Sequence, residues 1–149
     1  MAVLIDTNIL VYRFDHRSPE KQHIAGDIWR RCVADGSGRI AHQAILEFFS
    51  VVTRATKTRP RLLTNDEASW EVEFLLREFD VLYPNRFVLQ TALRGVVDYQ
   101  LSWYDSHLWA YAEVYGLSEL ISEDFQHDRI YGTVRAVNPF LHLSSAEGN

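Results

Sequence analysis

Four acidic residues lie far apart in the chain, in apolar segments or at the edges of predicted elements: Asp6, Glu47, Asp105 and Asp124. Asp6 follows an apolar run, and Glu47 is the only ionisable residue in the stretch 44–52. A buried carboxylate is costly unless it is paired or binds a metal. Hard divalent cations such as Mg²⁺ and Mn²⁺ take oxygen ligands. A pocket built from these acids would hold such a cation, and a metal-activated water suits phosphodiester hydrolysis.

Each acid also has a simpler interpretation when it is considered alone. Glu47 could reach solvent or pair with an arginine, Asp105 could be a helix N-cap, and Asp124 could be an ordinary turn residue. Glu123 is adjacent to Asp124, so the sequence leaves open which of the two faces a pocket. Asp6 has the strongest local case, because an acid at the carboxyl end of a buried strand lies where α/β sheets bind ligands.

Short strands alternate with helices around these acids. Strands are predicted at 2–5, 39–42, 81–83, 119–122 and 133–137. Helices are predicted at 19–36, 43–57, from 64 through 75, 85–99 and 105–116. This alternation indicates an α/β fold with a central parallel sheet of four to five strands flanked by helices on both faces.

Several helix starts carry local signals. Ser18 and Pro19 have the residue types of an N-cap and a first helical position. Thr64 and Glu67 have the spacing of a capping box, and Asn85 is suited to cap the helix that follows it. These signals predict the starts of three helices.

Composition indicates one ordinary globular domain. The 149 residues are 47% hydrophobic, and we expect a single domain over 1–143 with a frayed tail at 144–149. Cys32 is the only cysteine, which excludes an intramolecular disulfide and favours the cytoplasm. No apolar run reaches 18 residues, so no association with a membrane is predicted.

Basic residues are concentrated in one stretch of a chain whose net charge is −5. No acid occurs between Phe48 and Asn65, and this stretch contains Arg54, Lys57, Arg59 and Arg61. These four are candidates for contacts with a phosphate backbone, although cations also favour helix C-termini without any ligand. Arg13 and Arg17, close to the first acid, are further candidates.

The segments around the acids resemble PIN-domain ribonucleases, and most closely the VapC-type toxins of bacterial toxin–antitoxin pairs. The matching segments are Leu4-Ile5-Asp6-Thr7-Asn8, Gln43-Ala44-Ile45-Leu46-Glu47-Phe48, Tyr104-Asp105-Ser106 and Ile121-Ser122-Glu123-Asp124-Phe125-Gln126-His127. The resemblance covers nearly the whole chain. It implies a PIN-like three-layer α/β/α fold.

The same resemblance implies a function and its site. Asp6, Glu47, Asp105 and Asp124 would be the catalytic acids and the ligands of Mg²⁺, or of Mn²⁺ as a substitute, with Asn8 and Ser122 as supporting polar groups. The chain would be an endoribonuclease that hydrolyses RNA, a homodimer, and the partner of a cognate VapB-type antitoxin whose C-terminal segment covers the site.

Two residues depart from the family pattern. Asp128 stands where relatives often carry glycine, and His107 follows the third acid, where a small apolar residue is commoner. Either residue could alter the shape of a loop or add a ligand.

Two other functions compete with the nuclease. One is a catalytically silent PIN-like module that only binds RNA or docks an antitoxin. The other is a phosphotransfer protein, whose first strand also ends on aspartate. Phosphotransfer sites usually recruit a lysine late in the chain, and the only lysines here are Lys21 and Lys57, so this function is disfavoured.

Overall fold

A six-stranded sheet lies at the centre of the computed structural model, which describes residues 1–143. The strands are β1 (Val3–Ile5), β2 (Gly38–Ala41), β3 (Asp80–Leu82), β4 (Glu119–Ile121), β5 (Ile130–Tyr131) and β6 (Val134–Val137). They are arranged in the order β3-β2-β1-β4-β6-β5, and only β5 is antiparallel to its neighbour. The tail predicted to fray, 144–149, lies outside the described residues.

Helices cover both faces of this sheet. They are α1 (Thr7–Tyr12), α2 (Pro19–Asp35), α3 (His42–Val52), α4 (Asn65–Glu78), α5 (Arg86–Tyr99) and α6 (Trp103–Val114). Successive strand residues point to opposite faces, so Leu4 joins the core formed with α5 and α6, while Ile5 joins the core formed with α1 to α4. The predicted three-layer α/β/α architecture is confirmed. No helix within 1–143 is both long and apolar enough to cross a bilayer.

The predicted helix starts are present. Thr64 and Glu67 form both hydrogen bonds of a capping box, at 3.0 and 3.1 Å. The side chain of Asn85 accepts hydrogen bonds from the first turn of α5, and Pro19 is the first residue of α2. Ser18 precedes Pro19 but its side chain makes no capping hydrogen bond.

Other boundaries differ from the prediction. Helix α3 ends at Val52 instead of Lys57, because the loop folds back and the main-chain amides of Leu62 and Leu63 both donate to the Val52 carbonyl. The sheet has one strand more than predicted, since the two-residue β5 is too short to leave a sequence pattern. Helix α1 was not predicted either, and its six residues give too little periodicity to detect.

Candidate active site

Two of the four acids follow neighbouring parallel strands, β1 and β4. Asp6 comes directly after β1 and is the N-cap of α1, where its side chain accepts a hydrogen bond from the Thr7 amide at 2.6 Å. Asp124 follows β4 by three residues and is exposed. Because parallel strands end at the same edge of the sheet, both carboxylates lie above that edge.

Asn8 and Ser122 connect these two acids. The Ser122 hydroxyl donates to Asp6 Oδ2 and accepts from the Asp124 amide at 3.0 Å. The side-chain amide of Asn8 donates to Asp6 Oδ2 at 3.3 Å and to Asp124 Oδ2 at 3.1 Å. Both residues expected to support the acids therefore contact them directly.

Glu47 lies on α3 and both of its carboxylate oxygens accept a hydrogen bond. Thr7 Oγ1 donates to one oxygen at 2.8 Å, and Gln43 Nε2 donates to the other at 2.8 Å. Gln43 Nε2 also donates to the main-chain carbonyl of Tyr104 at 3.1 Å, which links α3 to α6. Sequence reasoning assigned no role to Thr7 or Gln43, although Gln43 is one helical turn before Glu47 and shares its face.

Asp105 is half-buried in the first turn of α6, and Ser102 is the N-cap of that helix. The Ser102 hydroxyl accepts from the Asp105 amide at 3.2 Å. The carboxylate of Asp105 is therefore not a capping group, contrary to the simpler interpretation of this residue. Like the other three acids, Asp105 lines a single cavity of about 390 Å³.

Within the described residues, none of the four acids forms an ion pair. Burial, helped by the charges of Asp124 and Asp105, raises the pKa of Asp6 to about 7, even though the hydrogen bonds from Ser122 and Thr7 lower it. The pKa of Asp105 is also raised, by burial and by the charges of Asp124 and Glu47. The cavity therefore carries negative charge that the chain does not neutralise.

The adjacent acids Glu123 and Asp124 face different surroundings. Glu123 accepts hydrogen bonds from Lys21 Nζ at 2.9 Å and from the Tyr12 hydroxyl at 2.5 Å. Glu123 does not line the acidic cavity, whereas Asp124 does. Of the two residues that the sequence left open, Asp124 is the one that lies with the other acids.

A comparison with known proteins places these residues in a family. Residues 3–133 match the family model of the PIN domain. The chain belongs to the PIN domain family. No curated protein sequence matches it.

Solved structures share the fold of this PIN domain at low sequence identity. A toxin–antitoxin complex from Klebsiella pneumoniae is 17% identical with a TM-score of 0.64, and the match covers 93% of this chain and 98% of that one. VapBC2 from Rickettsia felis, bound to a promoter DNA fragment, is 12% identical over the same shares with a TM-score of 0.65. VapC20 from Mycobacterium tuberculosis, a sarcin–ricin loop cleaving toxin, is 13% identical with a TM-score of 0.60 over 80% of this chain and 87% of that one.

The donor chemistry of this PIN domain fits a hard divalent cation. Four carboxylates without cationic partners line the cavity, and Asn8 Oδ1 is a buried oxygen without a hydrogen bond among the described residues. Within 1–143, however, no three acidic, histidine or cysteine side chains are arranged to hold an ion as they stand. The oxygen ligands are of the right kind, and their side chains would have to converge to coordinate a metal.

The two departures from the family pattern have structural explanations in this PIN domain. Asp128 has a φ of 63°, the left-handed conformation that glycine adopts without strain. Aspartate is one of the few other residues that tolerate it. His107 contacts the Trp103 ring edge-on, and its Nδ1 lies 3.2 Å from the Trp103 carbonyl. Neither residue lines the acidic cavity.

The predicted basic residues lie in different places. Arg59 lines the acidic cavity, and Arg54 lines an adjoining cavity that also includes Glu47. Lys57 and Arg61 are exposed in the loop after α3. Arg13 lies in a separate groove, where its guanidinium stacks 4.3 Å from the centre of a Trp29 ring. Only some of the predicted phosphate contacts are therefore next to the acids.

Proposed function

We propose that this protein is a Mg²⁺- or Mn²⁺-dependent endoribonuclease and the toxin of a type II toxin–antitoxin pair. The acidic cavity carries the proposal: four carboxylates from separate parts of the fold line it, and none has an ion pair within residues 1–143. Membership of the PIN domain family and the fold shared with VapC20, a toxin that cleaves the sarcin–ricin loop, support it.

Asp6, Glu47, Asp105 and Asp124 are the proposed catalytic acids and metal ligands. A divalent cation held there supplies water activation and charge neutralisation for phosphodiester hydrolysis. Asn8 and Ser122 fix the orientation of Asp6 and Asp124 through the hydrogen bonds described above.

Thr7 and Gln43 orient Glu47 in the same way, one hydrogen bond to each carboxylate oxygen. Gln43 also donates a hydrogen bond to the Tyr104 carbonyl, in the same first turn of α6 that contains Asp105. The chain thus holds the carboxylates of Asp6, Glu47 and Asp124 by neutral donors, which leave their negative charge available to a cation.

The proposed partners are RNA as the substrate, a VapB-type antitoxin and a second copy of the chain in a homodimer. The antitoxin is supported by the neighbours from Klebsiella pneumoniae and Rickettsia felis, which are toxin–antitoxin complexes of the same fold. The competing function is a catalytically silent PIN domain that binds RNA or an antitoxin. It shares every partner and differs only in turnover.

Incubating the purified protein with structured RNA in Mg²⁺, in Mn²⁺ or in EDTA tests the proposal. We expect cleavage with either ion and none in EDTA. Asp6→Asn and Asp105→Asn should each abolish it. Glu123→Gln is the matched control, because it removes the charge of an acid next to Asp124 that is paired with Lys21 outside the cavity.

Two results would contradict the proposal. Cleavage that persists in EDTA or in Asp6→Asn would remove the metal-dependent mechanism. Binding of RNA or antitoxin without cleavage in either ion would identify the silent module instead.

A further inference from the structure

Two arginines, Arg17 and Arg59, line the same cavity as the four acids. Both favour the charged form of Asp15, and Arg17 is the main reason that the pKa of Asp15 is lowered. Within residues 1–143, neither arginine forms an ion pair with any of the four acids. One cavity therefore contains two charged regions, an acidic one and a basic one around Asp15.

Arg17 is held in place by the buried Asp15, whose exposed fraction is 5%. Its Nε and Nη2 donate to the two carboxylate oxygens at 3.0 Å each, and its main-chain amide donates to Oδ1 at 3.1 Å. The Arg17 side chain is nevertheless 54% exposed. A guanidinium has five N–H donors, so Arg17 keeps donors that can bind a second group at the cavity surface.

Arg59 reaches the cavity from the loop after α3. Its Nη2 donates to the main-chain carbonyls of Val51 at 2.6 Å and Arg54 at 3.4 Å. Within residues 1–143 no carboxylate forms an ion pair with Arg59. Asp15 neutralises one guanidinium, so the basic region keeps a net positive charge on fixed donors.

We propose that Arg17 and Arg59 form a binding subsite for a phosphate of the RNA strand other than the one that is cleaved. The inference rests on the proposed nuclease function. A phosphodiester strand approaching four carboxylates is repelled by them, and two fixed guanidiniums in the same cavity offset that repulsion. Arginine suits this task because its fork matches phosphate oxygens in bidentate geometry.

Salt dependence of RNA binding tests the subsite without requiring cleavage. A fluorescein-labelled single-stranded RNA oligonucleotide is titrated with the full chain in EDTA at several NaCl concentrations, and anisotropy gives the affinity. Arg59→Gln should lower the affinity about tenfold at low salt. It should also reduce the slope of log affinity against log salt by about 0.7, the value for one phosphate contact on a single strand.

Arg17 requires a paired substitution, because Arg17→Gln alone would leave the buried Asp15 charge without its partner. Asp15→Asn with Arg17→Gln removes both charges, so it should lower the affinity through loss of the guanidinium donors and change the slope less than Arg59→Gln does.

Arg77→Gln is the matched control, since Arg77 is exposed in the last turn of α4 and outside the cavity. Arg59→Lys, which keeps the charge and loses the fork, should restore the slope but only part of the affinity. Circular dichroism melts establish that each variant is folded.

The subsite is wrong if Arg59→Gln keeps the wild-type slope and the paired Asp15 and Arg17 variant keeps the wild-type affinity, or if the wild type binds no RNA. A variant that loses affinity for an antitoxin while its RNA slope is unchanged also overturns it, since the arginines then bind a protein carboxylate. Reduced slopes in a protein that cleaves nothing support the subsite and refute the nuclease. Metal-dependent cleavage with an unchanged salt slope in Arg59→Gln would support the nuclease and refute the subsite.

Discussion

Asp6 and Asp15 are both almost fully buried, with exposed fractions of 4% and 5%, yet their surroundings shift their pKa values in opposite directions. Asp15 is paired with Arg17, which lowers its pKa. Asp6 is held by neutral donors among other carboxylates, and its pKa rises to about 7. The charge of Asp15 is therefore neutralised by Arg17, whereas the charge of Asp6 has no cationic partner within residues 1–143 and is available to a bound cation.

The largest expected consequence is the pH dependence of stability in EDTA. The native state binds the Asp6 proton more tightly than the unfolded state, because its folded pKa of about 7 is above the ordinary value of 3.8. The free energy of unfolding should therefore fall as pH rises from about 4 to 7, by roughly 4 kcal/mol at most for this group.

Urea denaturation of the wild type and Asp6→Asn across this range isolates that contribution, because the other carboxyl groups are common to both proteins. The stability difference should grow in favour of Asp6→Asn as pH rises. A difference in unfolding free energy that stays constant with pH would mean that ionisation of Asp6 does not destabilise the folded protein.

A divalent cation should reverse this penalty. At pH 8, Mg²⁺ or Mn²⁺ at about a hundred times its dissociation constant should stabilise the wild type by about 2.7 kcal/mol. The variant that combines Asp6→Asn with Asp105→Asn should show little of this effect. Thermal melts with and without the ion measure it, and equal stabilisation of both proteins would place the binding site elsewhere.

Asp15→Asn should have the opposite effect from Asp6→Asn at pH 8. The substitution removes the charge that accepts three hydrogen bonds from Arg17, at a cost of about 2 kcal/mol. Chemical denaturation of the two variants side by side compares the signs directly. If both Asp6→Asn and Asp15→Asn stabilised the protein, the ion pair with Arg17 would be too weak to offset the cost of burying the charge of Asp15.

Local sequence signals were sufficient for much of the fold. The capping box of Thr64 and Glu67 and the cap at Asn85 depend on residues within one helical turn, so their spacing identified them. The strand before Asp6 is predictable because a buried parallel strand is continuously apolar. Short elements such as α1 and β5 have no comparable signal, and the end of α3 depends on a loop that folds back onto it.

The site was predictable in its acids but not in what surrounds them. Asp6, Glu47, Asp105 and Asp124 were singled out because charge in an apolar segment is locally unusual. Of the adjacent acids Glu123 and Asp124, Glu123 lies outside the cavity. It pairs with Lys21, which is 102 positions away in the sequence. The stacking of Arg13 on Trp29 is equally a tertiary contact. Pairings of this kind depend on the folded arrangement, which no local window contains.

The smallest expected effect is at Asp128, where the positive φ of the backbone should affect stability more than the charge of the side chain does. Its partners His127 and Arg135 are 3.3 and 3.7 Å away on the surface, and exposed ion pairs of this kind contribute little. Its φ of 63° is unfavourable for most side chains.

Asp128→Gly should therefore change the free energy of unfolding by less than about 0.5 kcal/mol, because relief of the backbone strain offsets the added entropy of the unfolded chain. Asp128→Ala loses the same charge but gains no freedom at positive φ, and should cost about 1 kcal/mol. Urea denaturation of both variants separates the two contributions. Equal destabilisation would show that the carboxylate, rather than the backbone conformation, is what matters at this position.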